Sequence, residues 1–428
     1  MRMSETSQAL KNIRSFAIVA VVSFHSLLAY LATQSAASGP FDRPPYHWMA
    51  IPILDRERWF GFDLYSAFNY MSLMPLMFLL SGLFVLPSLR RKGAGAFMRE
   101  RLVRLGLPLV LGLFFLMPLA YYPVYRLSAE NPSFIAFFRQ WLALPVWPAG
   151  PLWFLWQLLA FDLIFAGLFL LIPRSAEALA QFATHSSTSG RRCFVLLLVF
   201  SAAAYIPLAL MFGPWNWIYF GPTAIQPDRV LLYGIYFLAG VGIGAYGLQN
   251  GLLSTNGSLA RHWRAWLAAA AGSFLLWMIC MAPLRDGDGG ILLSFVAYFT
   301  VALLVTSACF CFIAVSLRFA TGQSALCNSL SDNAYRIYVV HYVFVVWLQY
   351  LLLGASLPAI VKGTTVFAGT LALSWGVAAA LGQVIPFVKR AMAVAPVSRR
   401  RVLGRTRPFV AWAVSRDRAR GVKRHDAS

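Results

Sequence analysis

His25 lies eleven residues after Arg14 in the first apolar run of this chain, Arg14-Ser-Phe-Ala-Ile-Val-Ala-Val-Val-Ser-Phe-His25. An ionisable side chain that deep in a lipid-compatible segment costs a few kcal/mol unless it meets a cavity or a partner, which makes His25 a candidate functional residue. At about 1.5 Å per residue the eleven positions carry it roughly 16 Å beyond Arg14. A neutral imidazole there suits general-base work near pH 7, taking the proton of a hydroxyl as it attacks an activated carbonyl. The separation is close to the length of a pantetheine arm. A donor such as acyl-coenzyme A could rest its phosphates on arginines at the mouth of the span while its thioester reaches His25, with the acceptor hydroxyl arriving from the other side. The competing role for His25 is a polar knot between packed helices.

Other residues have the chemistry to assist. Asp162 lies inside an apolar run and must face the bundle, either orienting His25 or binding substrate, or else pairing with a cationic neighbour. Tyr335, Tyr338 and His341 recur at i, i+3 and i+6, roughly one helical face. If their span starts near residue 334, His341 is about 10 Å in and lines a donor tunnel or makes a structural hydrogen bond. Trp153, in the Pro- and Trp-rich stretch Trp147-Pro-Ala-Gly-Pro-Leu-Trp153, joins Asp162, Tyr338 and His341 as a candidate for the shell around His25 or the tunnel wall. Ser81-Gly82 has no Gly-x-Ser-x-Gly elbow around it and reads as a small pair that permits close helix packing.

The elements that must hold these residues follow from composition. The chain has 428 residues, 59% hydrophobic and only 12% charged, and apolar runs of about twenty residues recur along it. This is the pattern of an all-α polytopic membrane protein. Ten spans are expected, near 13–33, 67–87, 105–122, 151–172, 194–212, 230–248, 265–283, 291–316, 334–354 and 364–388. Pro108, Pro118 and Pro207 break the regularity of the third and fifth, although proline is tolerated in membrane helices.

The net charge of +21 suggests nucleic-acid binding only until its placement is considered. Arg2, Lys11 and Arg14, the cluster from Arg90 to Arg104, Arg174, Arg191, Arg192, Arg261, Arg264, Arg318 and the tail all fall on one side of ten alternating spans. The opposite loops hold Asp42, Asp55, Glu57, Asp228, Asp286 and Asp288. The positive-inside rule makes that basic side, with both termini, cytoplasmic in a plasma membrane. Residues 1–390 then form the transmembrane domain. Residues 391–428 form a basic cytoplasmic tail that rests on anionic lipid headgroups rather than on nucleic acid. The first span reads as a signal anchor. Cys193, Cys280, Cys309, Cys311 and Cys327 avoid the outward loops, so neither a disulfide framework nor a zinc signature is expected. Of the two long outward loops, the first (34–66) is a polar and aromatic mixture suited either to carbohydrate contact or to Trp anchoring at the interface. The second (123–150) reads as a re-entrant or interfacial element.

The stretch from Leu10 to His25 resembles the opening of the acyltransferase-3 family of integral membrane acyltransferases. Further matches follow in order: Met74-Pro-Leu-Met-Phe-Leu-Leu-Ser-Gly82, Phe97-Met-Arg-Glu-Arg-Leu-Val-Arg-Leu105, Gly150-Pro-Leu-Trp-Phe-Leu155 and Ala334-Tyr-Arg-Ile-Tyr-Val-Val-His341. Lys11 and Thr6 depart from it, standing where the family usually has Asp and often Arg. The resemblance implies transfer of an acyl group, acetyl or succinyl, from cytoplasmic acyl-coenzyme A to a hydroxyl of a cell-envelope glycan or lipid-linked sugar. It implies His25 as catalytic residue and Arg14, Arg101 and Arg104 as donor contacts, with no metal and no bound cofactor beyond the donor substrate. The layout is similar to the periplasmic glucan succinyltransferase branch. The rival readings are a transporter or flippase for a polysaccharide precursor, which calls for inverted repeats that residues 1–200 and 201–388 do not display, and a non-catalytic scaffold or sensor.

Overall fold

The computed structural model describes residues 4–34, 41–44, 46–130, 132–187, 189–221, 223–247, 251–285 and 290–393. Ten helical stretches are long and apolar enough to cross a membrane: α1 (Glu5–Tyr30), α2 (Phe60–Lys92), α3 (Ala94–Ser128), α4 (Gly150–Leu171), α5 (Gly190–Phe212), α6 (Pro227–Ala245), α7 (Trp263–Leu284), α8 (Ile291–Phe319), α9 (Ala325–Leu352) and α10 (Ala359–Gln383). Each overlaps one of the ten expected spans, and the chain is an all-α polytopic membrane protein. Among the described residues the strands are β1 (Ile218–Phe220) and β2 (Thr223–Ile225), an antiparallel hairpin between α5 and α6. Contacts divide the chain into residues 1–382, which contain the whole candidate site, and residues 383–428. In the second unit residues 383–393 are helical. The basic tail from 394 onward, Asp286 and Asp288 lie outside the described residues.

The most buried spans are α1, α2, α6 and α8, with α7 and α10 the least buried. α2 and α6 approach so closely that a Cβ on Gly240 would collide with the carbonyl of Leu79, and one on Gly82 with that of Phe237. Small residues allow this contact, as expected for Ser81-Gly82. The Ser81 hydroxyl donates to the Met77 carbonyl at 2.8 Å.

The prolines of α3 widen the helix instead of ending it. Wide π turns, Leu102–Gly106 and Gly112–Leu116, precede Pro108 and Pro118, absorbing the clash that a proline ring makes with the carbonyl four residues back. Pro108 and Pro123 leave the carbonyls of Arg104 and Leu119 without their helical donors. The Tyr335 hydroxyl donates to the first and the Trp347 indole to the second at 2.9 Å. Both come from α9, so the third and ninth spans are held together by backbone groups that proline has freed.

α9 begins nine residues earlier than the apolar pattern indicated. Ser324 caps it by accepting from the Cys327 N–H at 3.0 Å, a strong start signal. Its polar first turns pack against α1: Lys11 pairs with Asp332 at 2.9 Å, and Ser331 donates to the Lys11 carbonyl at 3.2 Å. His341 is therefore sixteen residues into its helix, about 24 Å rather than about 10 Å.

The loop between α1 and α2 folds onto the bundle. Asp55 and Lys362 form a buried ion pair at 2.8 Å, and Asp63 accepts from the backbone N–H groups of Ala32 and Thr33 at 2.7 and 3.0 Å. Trp48 stacks on Phe41 and meets Tyr121 edge-on. Asp55 and Asp228, counted from the sequence among the loop charges, are both buried, and each faces a basic side chain, Lys362 and Arg229 respectively.

Candidate active site

α1 and α9 bring His25 and His341 together. His341 Nε2 stands 3.3 Å from His25 Nδ1, which is also 2.9 Å from the carbonyl of Val21 one turn back. His341 Nδ1 lies 2.7 Å from the Tyr338 carbonyl. A carbonyl only accepts, so in the neutral rings both Nδ1 atoms carry the hydrogen. That leaves His341 Nε2 as the acceptor facing His25 and His25 Nε2 as an open lone pair. His341 is fully buried, whereas His25 keeps some accessible surface. The arrangement therefore presents one basic nitrogen and hides the group behind it, as expected of an oriented general base.

Three further contacts fix this pair. Gln349, two turns beyond His341 on α9, donates its buried amide to the carbonyls of His25 and Ser26 at 3.0 and 3.1 Å. Those carbonyls sit where α1 tightens into the 3₁₀ turn Leu28–Tyr30, where helical acceptors lose their usual donors. Tyr342 meets the His25 ring edge-on at 5.4 Å, and its hydroxyl is 3.5 Å from that of Tyr121, which donates to the Met49 carbonyl at 2.8 Å. Tyr338 donates to the Pro151 carbonyl. Gly150 makes that possible with a φ of +48°, where a Cβ would also come within 3.0 Å of Tyr342.

On the Arg14 side, two chambers share Arg14, Ser81, Phe84, Arg101 and Leu158. One, of about 430 Å³, is lined by Arg14, Arg91, Lys92, Arg101 and Arg104 against the lone carboxylate of Glu100. The other, of about 460 Å³, is lined largely by apolar side chains, among them Ile18, Leu80, Leu105 and Phe154, and reaches Tyr338, one turn before His341. Together they form a cationic mouth with an apolar arm directed toward the histidine pair. Arg14 donates to the Leu80 carbonyl at 3.0 Å and lies over the Phe84 ring. Arg104 is exposed and pairs with Glu100 at 3.0 Å. Arg101 pairs with the buried Asp162 at 3.1 Å. Asp162 thus has Arg101 as its cationic neighbour.

Trp153 is not brought to the histidines. It stacks on Tyr233 at 5.8 Å and meets Trp217 edge-on at 5.4 Å. Tyr342 and Gln349 are contributors that the sequence reading passed over. A glutamine in an otherwise apolar span is the same signal that singled out Asp162, and it was available for Gln349. Among the described residues no group of three or more His, Cys, Asp or Glu could hold a metal ion.

No curated protein and no solved structure matches this chain. A family model described as an acyltransferase domain matches residues 7–379. With that match running through every span that builds the histidine pair and the cationic mouth, the chain belongs to the acyltransferase-3 family and is a membrane acyltransferase.

Proposed function

We propose that this enzyme moves an acetyl or succinyl group from cytoplasmic acyl-coenzyme A to a hydroxyl of a cell-envelope glycan or lipid-linked sugar, in a plasma membrane with both termini cytoplasmic. The observation that carries the reading is the open Nε2 of His25, held in its tautomer by Val21 and His341, on the same helix as Arg14, which lines both the basic mouth and the apolar arm. Phosphates of the donor meet Arg14, Arg101 and Arg104, charges suited to phosphate oxygens. The pantetheine follows the apolar arm. The acceptor O–H gives its proton to His25 Nε2 as its oxygen bonds to the thioester carbonyl carbon. The C–S bond then breaks, and the departing thiolate takes the proton from the imidazolium, leaving ester and free coenzyme A. During the step the imidazolium keeps its Nδ1–H on Val21 and His341, so no ring need turn. Direct transfer of this kind requires no acyl-histidine. The test is transfer from radiolabelled acetyl- and succinyl-coenzyme A into envelope glycans by membranes carrying wild type or His25→Ala. Label with wild type that vanishes in the variant, with donor binding retained, supports the reading. Absence of label from a folded, inserted wild type overturns it.

A further inference from the structure

His25 lines neither of the two chambers, yet it keeps accessible surface. The rings packed around it are aromatic. Phe24 and Tyr342 flank the imidazole at 5.1 and 5.4 Å, and Phe24 stacks on Tyr70 at 6.3 Å. Tyr219, on β1, is within electrostatic reach of Tyr70, Tyr121 and Tyr342 at once. The hairpin carries this phenol half-buried. Burial holds the Tyr219 phenol above its ordinary pKa, so it stays a neutral O–H.

Behind Tyr70 lie polar atoms that the protein does not satisfy. Gln226 donates to the Tyr70 hydroxyl and leaves its buried Oε1 without a partner. Ser66, one turn before Tyr70 on α2, and Tyr205 hold buried hydroxyls in the same condition. Buried polar atoms of this kind call for a ligand or water to complete them. The charged groups at this wall are Asp228 and Arg229, both buried and 3.7 Å apart, with Arg229 lying over the Tyr70 ring at 4.4 Å. Each offsets the other, so the wall offers no net charge to an anion or a cation.

We infer that this aromatic cluster forms the acceptor subsite and that it takes an uncharged, hydroxyl-bearing sugar ring, with Tyr219 and Tyr70 as contact residues. The inference rests on the acyl-transfer reading and narrows it. Phenol hydroxyls both donate and accept, as sugar hydroxyls do, and aromatic faces pack against the C–H faces of a pyranose. A uronate or phosphorylated ring would bring a charge to a wall whose one cation is already matched, at a desolvation cost that an uncharged ring avoids.

The test uses purified protein in liposomes. Envelope glycans, freed of lipid carriers by mild acid, are split on an anion exchanger into uncharged and acidic pools, and each is offered with labelled donor. Label is expected in the uncharged pool. Tyr219→Phe and Tyr70→Phe should each raise the half-saturating glycan concentration about tenfold, the scale of one lost hydrogen bond. The half-saturating donor concentration, which reports an intact fold and donor site, should stay within twofold. Label confined to the acidic pool, or variants with unchanged glycan dependence, would overturn the subsite while leaving acyl transfer standing. No label in either pool, with donor binding intact, would overturn the acyl-transfer reading and this inference with it.

Discussion

His341 Nε2 lies 3.3 Å from His25 Nδ1, across 316 positions of sequence. The Tyr338 carbonyl, 2.7 Å from the far nitrogen of His341, gives the pair a direction. Hydrogen-bond donation runs from His25 to His341 and from His341 to a backbone carbonyl, and the only basic site left open is His25 Nε2. Two neutral imidazoles in series do what a carboxylate behind a histidine does elsewhere: they fix the tautomer and the ring plane. They do so without placing a formal negative charge in the membrane, where it would be costly.

His341→Phe removes the acceptor behind His25 and keeps an aromatic ring. Loss of an orienting partner of this kind reduces activity by roughly 10–100-fold. The loss should fall on kcat, with the KM for acyl donor unchanged, because the donor chambers are lined by other residues. His341→Gln, which can again offer an acceptor, should recover part of the rate. Steady-state kinetics with the donor varied separates these outcomes, and equal kcat for all three proteins would exclude the orienting role.

Gln349→Leu leaves the carbonyls of His25 and Ser26 without their side-chain donor. A net loss of about 1 kcal/mol of stability is expected from the two bonds together, given the modest worth of hydrogen bonds inside membrane proteins. The more telling result is kinetic, since the freed end of α1 carries the catalytic imidazole. kcat should drop several-fold further than the small Tm change would explain, and Gln349→Glu, which cannot donate to two carbonyls when ionised, should not restore it. A kcat that simply follows the folded fraction would make Gln349 a packing residue.

The ten spans were legible because lipid imposes a length and an apolar content that few other sequences meet. His25, Arg14 and Asp162 were legible because charge in such a run is conspicuous. The partnership of His25 with His341 was not, since nothing local to either histidine encodes a contact between the first and ninth spans. His341 was placed too shallow because Asn328, Ser331 and Asp332 look like a loop until their partners on α1 are known. Asp55 looked like a loop charge for the same reason: a buried ion pair is recognisable only from both partners, and Lys362 lies 307 residues from Asp55. Asp228 has its partner, Arg229, next in sequence, and what the sequence did not reveal was the packing that buries both.

Asp162→Ala should be strongly destabilising, because it strands the Arg101 guanidinium in a setting that is only 21% exposed. Breaking a buried pair from one side costs on the order of 3–5 kcal/mol, and less here in proportion to the water that reaches Arg101. The double variant Asp162→Ala/Arg101→Met removes the stranded charge and should regain most of the thermal stability. It should not regain donor affinity if Arg101 also serves the donor phosphates. Detergent-phase melting of the four proteins gives the coupling, and donor titration of the double variant decides between a purely structural Arg101 and one that also binds.

Tyr335→Phe and Trp347→Phe test the way α3 tolerates its prolines. Each removes the side-chain donor to a carbonyl that Pro108 or Pro123 has left unpaired. The cost of an orphaned carbonyl is about 1–3 kcal/mol, and nearer the lower figure where water can reach it. Each single variant should therefore lower the Tm of the detergent-solubilised protein. The prediction that isolates the mechanism uses Pro123→Ala in the Trp347→Phe background. Alanine restores an N–H at position 123 that can satisfy the Leu119 carbonyl, so the Trp347 substitution should cost much less there than in wild type. If the Tm loss from Trp347→Phe is the same with proline or alanine at 123, the indole stabilises the bundle by packing alone.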